Sequence, residues 1–284
     1  MNIQPFEKLA CPLDGNNLKR QDSIWCCADG HTFDIARQGY SNLLLVQNMR
    51  SRSPGDSKKM VSARTRFLQQ GFYSPIAKIV STLIDTRRNQ SSEISCLDSG
   101  CGEGYYLNQI IAQNSKHQFL SLIGLDISKW AVKAAAINNK SATWIVATNA
   151  NLPIQSQSLD YVLCIFGFPV YKEYLRVLKT SGQLIMVSTG PNHLRELRNI
   201  IYADIHDKSK KIRLCPEEFV GNLTKNLTYS VELSTKQQIS DLLEMTPHLY
   251  RANKEGIAKA AALDKLEVTI DVNLEVFSVD NASR

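Results

Sequence analysis

The run Cys96-Leu-Asp-Ser-Gly-Cys-Gly-Glu-Gly-Tyr105 reads as a buried strand that ends in an acid, a turn with three glycines, and the first residue of a helix. Glycine lets a backbone turn tightly and approach a ligand closely, and the N-terminus of the following helix offers free N–H groups. In the phosphate-cradling pattern G-x-G-x-x-G the third glycine would fall one residue later than Gly104 does. Outward from this turn, short apolar runs alternate with helical stretches. The spacing predicts strands at 94–98, 120–126, 143–147, 159–166 and 183–188, with helices beginning near Tyr105, Ser128 and Val170. That alternation implies an α/β fold, a largely parallel sheet with helices on both faces. Residues 266–277 alternate apolar and polar and predict a further strand with one wet face.

Two more elements stand in register with the glycine turn. Asp126 closes the 120–126 run, where a carboxylate can accept two hydrogen bonds from ribose hydroxyls. Ala147-Thr-Asn-Ala-Asn-Leu-Pro153 forms the loop after the third strand and resembles the loop with which Rossmann-like methyltransferases read adenine, with Thr148 and Asn149 as the candidate polar groups. Acid, glycine turn, second acid and third loop together resemble the cofactor motifs of Rossmann-like methyltransferases. The resemblance implies S-adenosylmethionine as cofactor, with Asp98, Gly100, Gly102, Glu103, Gly104, Asp126, Thr148 and Asn149 as candidate contacts.

The 284 residues, 43% hydrophobic and 21% charged, supply enough apolar material for a sizeable core, and a net charge of +6 is compatible with a polyanionic partner. No stretch approaches the ~18 apolar residues of a membrane span, and the N-terminus lacks the pattern of a signal peptide. Seven cysteines, an odd number without the spacing of a disulfide framework, point to a reducing cytosol.

Three segments follow from the rhythm: 1–47, 48–92 and 93–284. The first holds Cys11-Pro-Leu-Asp14 and Cys26-Cys-Ala-Asp-Gly-His31, two halves of a zinc knuckle. The favoured ligand set is Cys11, Asp14, Cys27 and His31, with Cys26 as a spare thiolate. A metal-free module with Cys11 and Cys27 as small core residues is the alternative. The second segment predicts two helices across 58–85, broken by Gly71 and Pro75. It concentrates Arg50, Arg52, Lys58, Lys59, Arg64 and Arg66 beside Tyr40, Phe67 and Phe72. Such cations can meet phosphates, and such rings can stack on an extruded base.

Cys27-Ala-Asp-Gly-His-Thr-Phe-Asp-Ile-Ala-Arg-Gln-Gly-Tyr-Ser-Asn-Leu-Leu44 resembles the N-terminal signature of the RlmA family of 23S ribosomal RNA (guanine-N1)-methyltransferases. The similarity continues through Arg50-Ser-Arg-Ser-Pro-Gly-Asp-Ser57, Gly71-Phe-Tyr-Ser-Pro75, Leu125-Asp-Ile-Ser-Lys129 and Thr189-Gly-Pro-Asn-His-Leu194, ending near Met245-Thr-Pro247. It implies a Rossmann-like class I methyltransferase domain behind a small zinc-ribbon-like module. That module would help to recognise an RNA hairpin in the large subunit, and the enzyme would act as a homodimer. It also implies cofactor contacts at Tyr73, Gly102, Glu103 and His193. The family pattern has cysteine where this chain has Asp14. Cys164-Ile-Phe-Gly-Phe-Pro169, after the fourth strand, lacks both the Asn/Asp-Pro-Pro-aromatic motif of exocyclic-amine methyltransferases and a Pro-Cys pair. A ring-nitrogen acceptor is compatible with both absences, and no residue stands out as the proton acceptor. A small-molecule methyltransferase and a non-catalytic RNA-binding protein are the alternatives.

Overall fold

The computed structural model describes residues 3–49, 51–85, 93–113, 119–202, 215–250 and 252–280; Arg50, one of the cations named above, lies outside them. The N-terminal stretch forms β1 (Ile3–Pro5), β2 (Lys19–Gln21), β3 (Ile24–Cys26), β4 (Thr32–Asp34) and β5 (Tyr40–Asn42), followed by α1 (Lys58–Gln69) and α2 (Ser74–Asp85). The alternating region gives β6 (Ile94–Ser99), α3 (Tyr105–Gln113), β7 (Leu120–Asp126), α4 (Lys129–Asn138), β8 (Thr143–Val146), β9 (Leu159–Ile165), α5 (Tyr171–Val177) and β10 (Leu178–Thr189). Then come α6 (Arg195–Ile201), β11 (Phe219–Leu233), α7 (Lys236–Met245), α8 (Lys254–Ala262) and β12 (Leu266–Val279).

Among the described residues the main sheet runs β11-β12-β10-β9-β6-β7-β8-β5, with β1 lying beside the first half of β7. Its centre is parallel, and β12 enters antiparallel to β10 and β11. The short β2–β4 sheet stands apart, yet β1 and β5 on either side of it pair with β7 and β8. The 1–47 stretch is thus joined to the main sheet at two places.

Strand residues divide by parity between two buried clusters. Tyr161 and Leu163 join Phe67, Ile76, Leu107, Val132, Leu197 and Leu242 from the helices α1, α2, α3, α4, α6 and α7. Val162 and Cys164 join Tyr174 and Val177 of α5 together with Phe6, Leu9, Leu18 and Trp25 of the N-terminal stretch. The module therefore covers the face on which α5 lies. Phe67 and Tyr40, read from sequence as stacking rings, are core residues at 1% and 7% exposure, and Phe72 packs at 4.8 Å from Phe67. The wet face expected for residues 266–277 is partly covered: Glu267 is exposed and Thr269, Asn273 and Glu275 are half-buried, while Asp271 is buried.

Local chemistry sets the helix bounds. Ser57 caps α1 by accepting the Met60 N–H at 3.3 Å. Gly71, at φ 81°, turns the chain out of it. Pro75 falls in the first turn of α2, where its missing N–H leaves no helix bond unmade. No helix among the described residues is long and apolar enough to cross a membrane.

Candidate functional site

Three loops meet at the carboxyl end of the parallel strands, where open α/β sheets bind ligands. Gly100, Gly102 and Gly104 adopt φ values of 88°, 56° and 85°, in the left-handed region that favours glycine. The N–H groups of Gly100 and Cys101 both donate to the Leu125 carbonyl, folding the turn onto the tip of β7. There Asp126 accepts the Gly102 N–H through Oδ2 at 3.0 Å and the Ser128 N–H through Oδ1 at 2.8 Å. The Ala147 N–H donates to the Asp126 carbonyl at 3.1 Å, which brings in the loop carrying half-buried Thr148 and Asn149. A Cβ on Gly100 would meet nothing within 4 Å, so that side of the turn faces open space.

The site is rich in buried carboxyls. Asp98 is 1% exposed, and neither of its oxygens has a hydrogen-bond partner. Burial, together with Asp126 and Glu103, lifts its pKa to about 8. Burial lifts Glu103 to about 7, opposed by the Arg64 guanidinium. Burial also raises Asp126 against the pull of the Ser128 and Gly102 N–H groups and Arg64. Orphaned acceptors beside open space suit a ligand that brings its own donors, such as the ammonium and ribose hydroxyls of S-adenosylmethionine. A carboxyl with a raised folded-state pKa binds more protons folded than unfolded, so its contribution to stability falls as pH rises between the two values. Asp98→Asn cannot ionise. Without ligand, its melting temperature is expected to climb relative to wild type as pH rises from about 4 to about 8. A difference that stays constant with pH in thermal melts would sink this assignment.

Tyr73 and His193 come together as well. The Tyr73 hydroxyl lies 3.3 Å from His193 Nε2, and His193 Nδ1 lies 3.1 Å from the Asp271 carbonyl. The Asp271 N–H also reaches Nδ1, at 3.3 Å, so the imidazole is tied to both backbone groups of Asp271 on one side and to Tyr73 on the other. Asp271 itself is buried, yet hydrogen bonds from Asn226, the Asn192 N–H and Thr228 outweigh that burial and hold its pKa below the ordinary range. A Cβ on Gly190 would lie 2.4 Å from this carboxylate. Phe166, just past β9, takes φ 56°, which is strained for a phenylalanine, and sets its ring 5.8 Å from both Tyr73 and His193. A Cβ on Gly167 would stand 3.5 Å from the Ser99 carbonyl, so this wall abuts the glycine turn. Sequence reasoning missed Phe166 and Asp271. The only signals were a Phe-Gly-Phe run after a strand and an acid inside an alternating one.

The cations expected to face RNA do not act alike. Arg52 and Lys58 are exposed. Lys59 pairs with Glu244, and Arg66 grips Asp241 through Nε and Nη2, the latter at 2.6 Å. Lys58, Lys59 and Arg66 line one open groove between α1 and α7, beside Gln237 and Ser240. Arg64 points instead into the carboxylate cluster.

At the far side of the module two tight turns face each other. Cys27 Sγ lies 3.2 Å from Asp14 Oδ2 and 3.4 Å from His31 Nδ1. Cys11 Sγ is 3.6 Å from His31 Nδ1, and all four ligand atoms fall within 4.8 Å of one another. The edges of a zinc tetrahedron with ordinary bond lengths are about 3.3–3.8 Å. The three distances to the thiols lie close to that, and His31 Nδ1 and Asp14 Oδ2, now 2.7 Å apart, would have to part to admit the ion. Asp14 keeps Oδ1 for the Asn16 N–H and turns Oδ2 to the cluster. Cys26 bonds the Cys27 carbonyl and stays outside the set.

Comparison with known proteins agrees with this anatomy. A family model described as the N-terminal zinc ribbon of RlmA matches residues 9–52, and one described as a methyltransferase domain matches residues 90–246. A Bacillus subtilis protein that bears the name of a 23S rRNA (guanine-N(1)-)-methyltransferase is 30% identical over 276 residues, covering 95% of this chain and 96% of that one. The 23S rRNA (guanine(748)-N(1))-methyltransferase of Streptomyces fradiae is 31% identical over 190 residues, 66% of each chain. With both of its regions matched in order and a relative similar along almost its whole length, the chain belongs to the RlmA family of methyltransferases.

Proposed function

We propose that this protein transfers a methyl group from S-adenosylmethionine to N1 of a guanine in a hairpin of 23S ribosomal RNA. One observation carries the reading: the likeness to proteins named for that reaction runs through both the metal ribbon and the donor domain. On this reading Asp126 takes the ribose hydroxyls, and Thr148 and Asn149 read the adenine. Asp98, Gly100, Gly102, Glu103 and Gly104 surround the amino-acid end, and Tyr73 and His193 close the pocket.

When bound, S-adenosylmethionine supplies a sulfonium methyl already activated for displacement. What the chain contributes is in-line alignment and exclusion of water. Lys58, Lys59 and Arg66 would meet phosphates along the α1–α7 groove, and the exposed Arg52 would add a further contact outside it. Cys11, Asp14, Cys27 and His31 would hold zinc and so fix the turns of the RNA-recognising ribbon. Family resemblance extends the proposal to a homodimer working in the cytosol. The test is incubation with methyl-labelled S-adenosylmethionine and unmodified 23S ribosomal RNA, followed by digestion to nucleosides. Label in 1-methylguanosine is expected. Label on another nucleoside, or none in RNA despite measured cofactor binding, would overturn the proposal.

A further inference from the structure

Within the basic run 50–66, Arg64 turns away from solvent, with a quarter of its side chain exposed. Its Nη2 forms an ion pair with Asp56 and donates to the Met245 carbonyl at 3.2 Å. Its Nη1 lies 3.4 Å from the point where a Cβ on Gly102 would sit. One guanidinium therefore touches the 51–57 strap, the end of α7 and the glycine turn together. The strap is itself seated on the turn between β7 and α4. The Ser128 hydroxyl donates to the Asp56 carbonyl at 2.6 Å, and Gly55 packs where a Cβ would lie 2.8 Å from the Ser128 side chain.

We propose that Arg64 is a positioning residue of the methyl-donor site: wedged between Asp56, the Met245 carbonyl and the Gly102 turn, it holds the glycine turn against the strap and the end of α7, with its charge on the side of the Glu103 and Asp126 carboxylates. The inference rests on reading this loop as the S-adenosylmethionine site. Asp98 from β6 and Glu103 from the turn are buried there, Asp126 at the tip of β7 accepts the Gly102 N–H, and Asp56 of the strap pairs with Arg64. Among the described residues Arg64 is the cation whose charge acts on both Glu103 and Asp126. Like charges confined together suppress one another's ionisation, and an opposing guanidinium restores it. Lysine, a point charge on a flexible stem, cannot span the same three partners. Lys59 and Arg66 are paired too, but they stay at the surface, and it is burial against the glycine turn that separates Arg64 from them.

The test is calorimetric titration of the full-length protein with S-adenosylmethionine alone, between about pH 5.5 and 8.5, so that no RNA contact contributes. Arg64→Met is expected to bind about tenfold more weakly near neutral pH, with the pH midpoint of binding displaced upward by about one unit. Asp56→Asn removes a negative neighbour while leaving the guanidinium, so its midpoint is expected to move downward. Arg64→Lys is expected to restore most of the midpoint while remaining weaker in affinity. Wild-type affinity and midpoint in Arg64→Met would overturn the inference. If that variant does not fold, an upward or unchanged midpoint in Asp56→Asn would do so. A wild-type protein that fails to bind S-adenosylmethionine would instead sink the reading of the site, and this inference with it.

Discussion

Gly104→Ala is expected to destabilise the protein by about 2–5 kcal/mol, the sum of left-handed backbone strain and overpacking. At φ 85° any side chain is disfavoured, and the added methyl would lie 2.5 Å from Trp144 Cη2 and 3.2 Å from the Ala135 Cβ. Trp144 cannot yield easily. It is 1% exposed, and its indole N–H donates to the Asn139 carbonyl at 2.8 Å. Gly124 meets the same benzo edge of that ring, where a Cβ would lie 2.2 Å from Cζ3. Two glycines thus make room for one buried indole beneath the cofactor turn. Gly100→Ala supplies the contrast. It carries the same backbone strain at φ 88°, but its methyl points into open space. Its expected loss is only about 1–2 kcal/mol, while cofactor affinity suffers because the methyl occupies the ligand's side of the turn. Thermal melts with and without S-adenosylmethionine separate the two. If both variants melted alike and bound alike, the packing account of Gly104 would fail.

The parallel core was legible because its strands are buried on both faces, and a short continuous apolar run leaves little ambiguity about where a strand lies. The run 120–126 is β7 as it stands, and the other four strands agree to within a residue or so, except that β10 starts early at Leu178. Its first residue pairs with β9 in a shifted register, which an apolar count starting at Gln183 cannot reveal. Phe219–Leu233 was poorly legible. It is an edge strand, exposed along most of its first half and held by its ladder with β12, although Leu227, Tyr229, Val231 and Leu233 do alternate inward in its second half. The glycine turn and Asp126 could be read because backbone geometry demands those residue types. Arg64 and Arg66 could not be told apart from sequence. Each is defined by a partner more than 170 positions away, Met245 for one and Asp241 for the other. Periodicity likewise shows that Phe67 lies on the apolar face of a helix, but not whether that face meets the core or a nucleotide.

Cys27→Ser is expected to empty the metal site and loosen residues 11–31 while leaving the parallel sheet and cofactor binding in place. Structural zinc in a small domain contributes on the order of 10–16 kcal/mol of binding free energy, far more than the few apolar residues of β2–β4 can supply. Phe6, Leu9, Leu18 and Trp25 pack against Leu97, Ile123 and Leu125 of the sheet, so the base of the module has support independent of the ion. Of the two turns only Cys11 and Cys27 reach into that cluster, and the rest of each turn, with Asp14 and His31, lies outside it. Wild-type protein purified without chelator is expected to hold about one zinc per chain by elemental analysis. Cys27→Ser should hold little, and limited proteolysis should cut it between the two turns. Cys26→Ser should behave as wild type, because that thiol bonds the Cys27 carbonyl instead. Asp14→Cys should hold zinc more tightly, since a thiolate is the softer ligand and the better match to this ion. Equal zinc loss from Cys26→Ser and Cys27→Ser would mean that the ribbon binds metal through a different set. Metal-free wild-type protein with proteolytically resistant turns would mean that hydrogen bonding among His31, Asp14 and the two thiols suffices to hold them.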